Sequence, residues 1–163
     1  MNDLRTGANH GTRPLAANDI PRVVAIDRAH SGQSRRSFFE KRFAAAAANP
    51  DDFILIGVSR GGSLRGFAMA HIQRGEFGRA HAVAVLDSLG VATECQELGV
   101  GQMLISEVLH VLCRMDVRSL QSQAEWKNHN LLHFFASSGF ALAPRLVLER
   151  SVAPPLHENS EDV

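Results

Sequence analysis

An apolar run ending at Leu89-Gly90-Val91 passes through Ala92-Thr93-Glu94-Cys95-Gln96-Glu97-Leu98 into Gly99-Val100-Gly101-Gln102, where a helical apolar repeat begins. The first four N–H groups of a helix have no internal partner, and its dipole places partial positive charge at that end. Glycines at 99 and 101 let the backbone approach a ligand with no Cβ between them, so an anion, above all a pyrophosphate, suits this turn. The same glycines also suit close packing of helix on sheet, and spacing alone does not decide between the two. Upstream, Asp87 interrupts an apolar strand of Val83, Val85, Leu86 and Leu89. A carboxylate there is costly unless it is used or paired, and a proton acceptor or an Asp–Arg pair would each account for it.

The elements that position these residues can be read in order. Arg13-Pro14-Leu15 opens as a short strand, and Asn18 or Asp19 caps a helix with Pro21 in its first turn and Ile20, Val23, Val24 and Ile26 as its apolar side. His30-Ser31-Gly32-Gln33 breaks it, and a second helix runs from about Ser34 to Ala48, stopping before Asn49-Pro50. Phe53 to Val58 and Leu64 to Gln73 read as strands joined at Gly61-Gly62, and Ala82 to Val91 as a third. Val100 to Met115 has helical periodicity, Arg118 to Trp126 reads as a strand, Asn130 to Ser137 as a short helix closed by Gly139, and Ala141 to Arg150 as a last strand. The order βααβββαβαβ implies an α/β (α+β) domain over residues 13–150, with one mixed, mostly antiparallel central sheet and helices on both faces. Residues 1–12 and the acidic 151–163 read as loose tails.

Composition narrows the function. Lys plus Arg equals Asp plus Glu, 17 against 17, so no global field draws the chain to nucleic acid or membrane. Cys95 and Cys113 are the only cysteines, no secretory segment or long apolar span appears, and a reducing cytoplasm follows as the default compartment. Lys41 and Lys127 are the only lysines, which with the Ala-rich runs points to a GC-rich bacterial coding sequence. No pattern of metal ligands stands out.

Gln96-Glu97-Leu98-Gly99-Val100-Gly101 resembles the Q/R-x-x-G-x-G/A signature of the GNAT superfamily of N-acetyltransferases. It follows a strand of the form Leu86-x-x-Leu89-x-Val91, as in that family, and Asn128 lies eleven residues before Gly139-Phe140, a second family element. Phe134-Phe135 stands where the family often has Leu-Tyr. The resemblance spans about residues 13–150 and implies acetyl-CoA as co-substrate, with the amides of Glu97 through Gln102 around its pyrophosphate. It also implies backbone groups of Leu89, Gly90 and Val91 along the pantetheine arm and thioester, and an Asn128 side chain near the same arm. A plain helix cap would equally explain Asn128.

The family's reaction is direct attack of a neutral amine on the thioester. Its usual general acid falls at Phe135, and the whole chain lacks tyrosine, so the acid is a water, a residue such as Ser137, Ser138 or Cys95, or dispensable. Glu five residues before the Asn marks protein N-terminal acetyltransferases; here that residue is Gln123. Asp87 is the first candidate base, with Glu125, His71 and His81 behind it. The acceptor, a small-molecule or protein amine, would approach from the side of the first two helices. Arg35 and Arg36 could hold an acidic group there, although a solvated face or a salt bridge explains them more simply. Trp126 either lines the acceptor channel or packs in the core. Family habit adds a homodimer through Leu146-Val147-Leu148. A non-catalytic acyl-CoA-binding module is the competing reading, and a generic phosphate-binding α/β protein ranks last, since no Walker-type lysine follows Gly101. On this reading Gly101→Val abolishes CoA binding and leaves the fold intact.

Overall fold

The computed structural model describes residues 10–152. Nine main elements are present: β1 (Gly11–Pro14), α1 (Ile20–Ser31), α2 (Arg36–Ala48), β2 (Phe53–Arg60), β3 (Ser63–Gln73), β4 (Val83–Val91), α3 (Val100–Arg114), β5 (Leu120–Gln121) and α4 (His129–Ser137). Gly61 and Gly62 both take positive φ, 57° and 76°, which is the backbone that a two-residue hairpin turn demands, so β2 returns directly as β3. The sheet order is β1-β2-β3-β4-β5; the first three pairings are antiparallel and β4–β5 is parallel.

Small residues let helices lie close on both faces. A Cβ at Gly66 would meet Val100 and Leu104 of α3, whereas one at Gly90 would meet the Phe67 ring and Ile26 of α1. Gly66 therefore faces α3, and Phe67 and Gly90 face α1 and α2. Phe67 also meets Phe39 of α2 edge to face at 5.6 Å. Val100, Leu104, Ile105, Val108 and Leu112 form the buried stripe of α3, spaced as the sequence periodicity requires.

The expected α/β class, its mixed, mostly antiparallel sheet and the first nine elements of the predicted order are found. Two strand predictions are corrected. The strand expected over Arg118–Trp126 is only Leu120–Gln121, paired with Ala84 and Val85. Ser122-Gln123-Ala124-Glu125 supplies one apolar side chain, too little to hold a longer ladder on a half-buried sheet. The last strand expected over Ala141–Arg150 does not form. Pro144 offers no N–H, the chain folds back there with the Arg145 N–H donating to the Ala143 carbonyl (2.8 Å), and a two-residue β5 gives no edge to extend. Gly11 and Thr12, expected in the N-terminal tail, pair with Ser59 and Val58 in β1; the rest of that tail, and residues 153–163 of the other, lie outside the described residues.

β1 is tied to α1 by a charged fork. Asp19, buried, accepts hydrogen bonds from both terminal nitrogens of Arg13 (2.8 Å each) and from the Ala16 N–H (2.8 Å). The Arg13 guanidinium holds the Asp19 carboxyl below its ordinary range, with burial opposing. A depressed folded pKa contributes stability above the unfolded value of about 3.9, and that stability is lost as pH falls through the folded value. Asp19→Asn is thus expected to cost on the order of 2 kcal/mol at neutral pH. In denaturant melts, the gap to wild type should close as pH drops below about 4. A gap that persists undiminished in acid would contradict the pairing.

Candidate functional site

After Val91 the chain is fastened before it turns. The Ala92 N–H donates to the Arg65 carbonyl (2.8 Å), and Glu94 accepts from Arg22 (2.9 Å) with Arg65 at 3.5 Å. Beyond a 3-10 turn over Thr93–Cys95, Glu97 and Gly99 both take the left-handed conformation, φ 63° and 78°. Left-handed residues alternating with other conformations turn successive N–H groups toward one side, as anion-binding nests do. Val100, 1% exposed, anchors α3 in the core, while Gln96, Glu97, Leu98, Gly99 and Gln102 stay exposed. No side chain caps α3, its first turn carries no acid, and its first intrahelical bond is that of Met103 to Gly99. The N–H groups of Val100, Gly101 and Gln102 are thus left for a ligand or water.

The two glycines serve different ends. A Cβ at Gly99 would meet nothing within 4 Å, so glycine is there for its positive φ. At Gly101 a Cβ would lie 2.8 Å from the Phe134 ring, so this glycine admits α4 against α3. The packing reading thus holds at Gly101, and Gly99 has a backbone reason of its own.

Beside this turn, β4 and β5 part. Their ladder ends at Val85–Gln121, and Ser122 Oγ donates to the Leu86 carbonyl (3.0 Å) before the second chain leaves. From Asp87 to Val91, including Leu89 and Gly90, β4 has no strand on its β5 side among the described residues. Its other pairing is irregular here too: Met69 opposes Ser88 and Ala70 opposes Leu86, so Asp87 is the extra residue of a bulge. The Asp87 Oδ2 accepts from Arg42 of α2 (2.5 Å) and His71 Nδ1 of β3 (3.1 Å). Oδ1 is buried, with no hydrogen bond among the described residues. Arg42 is held over Phe38 (5.4 Å) and Phe53 (5.6 Å).

The structure thus joins Asp87 and His71 and adds Arg42, which the sequence reading had no means to find: it lies 45 positions from Asp87. Glu125 sits in an exposed turn with no side-chain partner among the described residues, and His81 is exposed. His30, read only as part of a helix break, reaches the Val91 carbonyl with Nε2 (2.6 Å). Asn128 caps α4, its Oδ1 accepting from the Leu131 N–H (3.2 Å). Phe135 is buried between Phe134 (5.8 Å) and Phe140 (4.8 Å). Trp126 is exposed and lies near Lys127 (5.5 Å). Arg35 is committed to a fork on buried Asp27, whose hydrogen bonds raise its already high pKa, and Arg36 pairs with Glu40 (3.4 Å) on the surface. Among the described residues, no three His, Cys, Asp or Glu side chains come together as a metal site.

The comparisons with known proteins agree with this architecture. Residues 22–140 match the model of the acetyltransferase (GNAT) family, and the chain belongs to that family. An aminoglycoside acetyltransferase from an uncultured soil metagenomic sample shares the fold at TM-score 0.70 and 16% identity, covering 89% of this chain and 97% of its own. AAC(6')-Iy, solved with a bisubstrate analog of CoA and acetylneamine, has TM-score 0.71 and 17% identity over 89% of this chain and 99% of its own. Glucosamine-6-phosphate N-acetyltransferase from Arabidopsis thaliana gives 0.67 and 13% over 87% and 98%. No curated protein matches the chain in sequence.

The Phe134 contact adds a stability cost to the expected effect of Gly101→Val on CoA binding. The added side chain must displace the ring, at a cost of about 1–3 kcal/mol. Urea unfolding of the variant should show a lower midpoint; an unchanged midpoint would refute the contact.

Proposed function

We propose that this chain transfers an acetyl group from acetyl-CoA to a primary amine by direct attack. The observation that carries the reading is the open N-terminus of α3, preceded by left-handed Glu97 and Gly99, beside a β4 edge that β5 has left. The N–H groups from Glu97 to Gln102 would make a cradle suited to a pyrophosphate. Backbone groups of Leu89, Gly90 and Val91 lie along the parted strands, where a pantetheine arm and thioester fit. Asn128 contributes from the start of α4, with its cap bond already made. The family and its CoA-analog-bound neighbour support acetyl-CoA, and it supplies a thioester whose carbonyl carbon accepts the amine.

The amine must lose a proton, and the geometry favours His71 over Asp87 as its acceptor. Asp87 Oδ2 is shared by a guanidinium and an imidazole nitrogen, so its charge is already spent on Arg42 and His71. Accepting from Nδ1–H, it fixes the His71 tautomer that leaves the lone pair on Nε2. Among the described residues, the hydrogen-bond partner of that nitrogen is the Gln73 amide, 3.5 Å away. His71 opposes Val85, at the level where β5 parts from β4. Asp87 is then a positioning residue, with Arg42 from α2 as its counter-charge and the uncharged Phe53 ring of β2 beside the imidazole (6.5 Å). No tyrosine is needed to protonate the leaving thiolate, since a model thiol pKa near 8.5 makes it a tolerable leaving group in water.

Among the neighbours are aminoglycoside acetyltransferases and a glucosamine-6-phosphate N-acetyltransferase, which supports a small amine over a protein amine here. Two unpaired thiols and the Arg- and Ala-rich composition support a bacterial cytoplasm. A second reading, a binding module that senses acyl-CoA, draws on buried Phe135, which has no proton to give.

The test is amine-dependent release of CoA thiol across a panel of small amines and peptides. His71→Gln should lower kcat by about 10²–10³-fold with little change in the KM for acetyl-CoA. Asp87→Asn should lower kcat less. Wild-type kcat in His71→Gln would return the base to another group. Acetyl-CoA binding with no amine-dependent turnover would establish the sensor.

A further inference from the structure

Most arginines of the fold are matched to carboxylates. Of those without such a partner among the described residues, Arg28, Arg60, Arg114, Arg145 and Arg150 lie exposed in solvent, whereas Arg79 is half-buried. Its guanidinium donates to a neutral acceptor, the Gln121 Oε1 (3.2 Å), and the rest of its fork has no side-chain partner among the described residues. It lies over the Phe77 ring at 5.7 Å. Phe77 is 88% exposed and left-handed (φ 55°), a backbone that a bulky residue rarely adopts. The loop between β3 and β4 therefore holds this ring and charge together against local strain.

The register sets this charge beside the proposed base. His71 opposes Val85, and Val85 opposes Gln121, so the three stand on one rung with their side chains on the same face of the sheet. Neighbouring strands lie about 4.8 Å apart, which puts His71 and Gln121 roughly 10 Å apart across β4. Gln73, two residues beyond His71, shares that face, and its amide meets Nε2 (3.5 Å). The floor between His71 and Arg79 is thus Val85 flanked by two neutral amides. The carboxylates at this end of the sheet are spent: Asp87 on Arg42, and Asp52 on Arg74 (3.0 Å). Glu76 and Glu125 are exposed and make no ion pair among the described residues. An amine seated at His71 with an acidic group a few bonds away would meet the guanidinium fork. A polycation there would meet Arg42 and Arg79 and no unmatched buried carboxylate.

We propose that the acceptor is a small primary amine bearing a carboxylate or phosphate, and that Arg79 binds that acidic group. The inference rests on the acetyl-transfer reading above, and it sets the acceptor apart from aminoglycosides.

Calorimetric titration of the full chain, with CoA present, tests it on matched pairs. These are glucosamine-6-phosphate against glucosamine and β-alanine against β-alaninamide, with neamine as the polycation. The acid-bearing member of at least one pair should bind roughly ten- to hundredfold more tightly than its neutral partner, as charge-assisted hydrogen bonds allow. The pair with the larger ratio tells phosphate from carboxylate. Arg79→Gln should bring that ratio near one, and Arg79→Lys should restore part of it, since an ammonium keeps the charge without the fork. Circular dichroism melts check that both variants fold. With acetyl-CoA in place of CoA, the same preference should appear in kcat/KM, carried by the KM of the amine. Binding that follows the acid and Arg79 without any turnover would overturn the acetyl-transfer reading and leave the acid site standing. Turnover with no preference for the acid would do the reverse. Tighter binding of neamine, an Arg79→Gln ratio equal to wild type, or no binding of either acid-bearing amine would each overturn the proposal.

Discussion

The two-residue ladder between β4 and β5 is the constraint on which both ends of the molecule depend. Leu120–Gln121 pairs with Ala84–Val85, Ser122 holds the Leu86 carbonyl, and there the partnership stops. On one side, the β4 edge from Asp87 to Val91 opens next to the bare N-terminus of α3. On the other, β5 offers nothing for the chain after α4 to join, and that apolar stretch is left in water. A longer β5 would close the first and cover the second.

Buried and half-buried carboxylates matched to arginines hold the rest in place. Asp19 takes Arg13, Asp27 takes Arg35, and Asp87 takes Arg42. These pairs join β1 to the entry of α1, α1 to α2, and α2 to β4. Arginine suits the role because its planar fork stays charged and can bond a carboxylate at two points. A carboxylate left behind without its arginine would be costly, so these contacts specify how the helices sit more than they add to stability. The third pair also positions the proposed base, since Asp87 has one oxygen for both Arg42 and His71.

The helices and the first four strands were legible because their apolar periods agree with their caps and turns: Pro21 at a helix start, Gly61-Gly62 in a hairpin, the α3 stripe from Val100 to Leu112. The glycine turn was legible for the same local reason. What failed was non-local. Whether Ala141–Arg150 forms a strand depends on an edge that β5 does not provide, and no window of sequence contains that fact. The Asp87 cluster is assembled from α2, β3 and β4, so the sequence could mark Asp87 and His71 as candidates but could not bring in Arg42. Arg35 stood out as a candidate acceptor contact because its partner, Asp27, lies one turn-break away, on the other helix of the pair.

The central claim is that the α3 turn binds acetyl-CoA through its pyrophosphate, and a thermal-shift titration with acetyl-CoA, CoA and ATP tests it most directly. A ligand at 100 times its Kd stabilises the folded state by roughly 2.7 kcal/mol, which for a domain of this size raises the Tm by about 5–10 °C. The account predicts that rise with acetyl-CoA and with CoA, and none with ATP. No rise with either CoA species would contradict it and leave the turn a purely structural device.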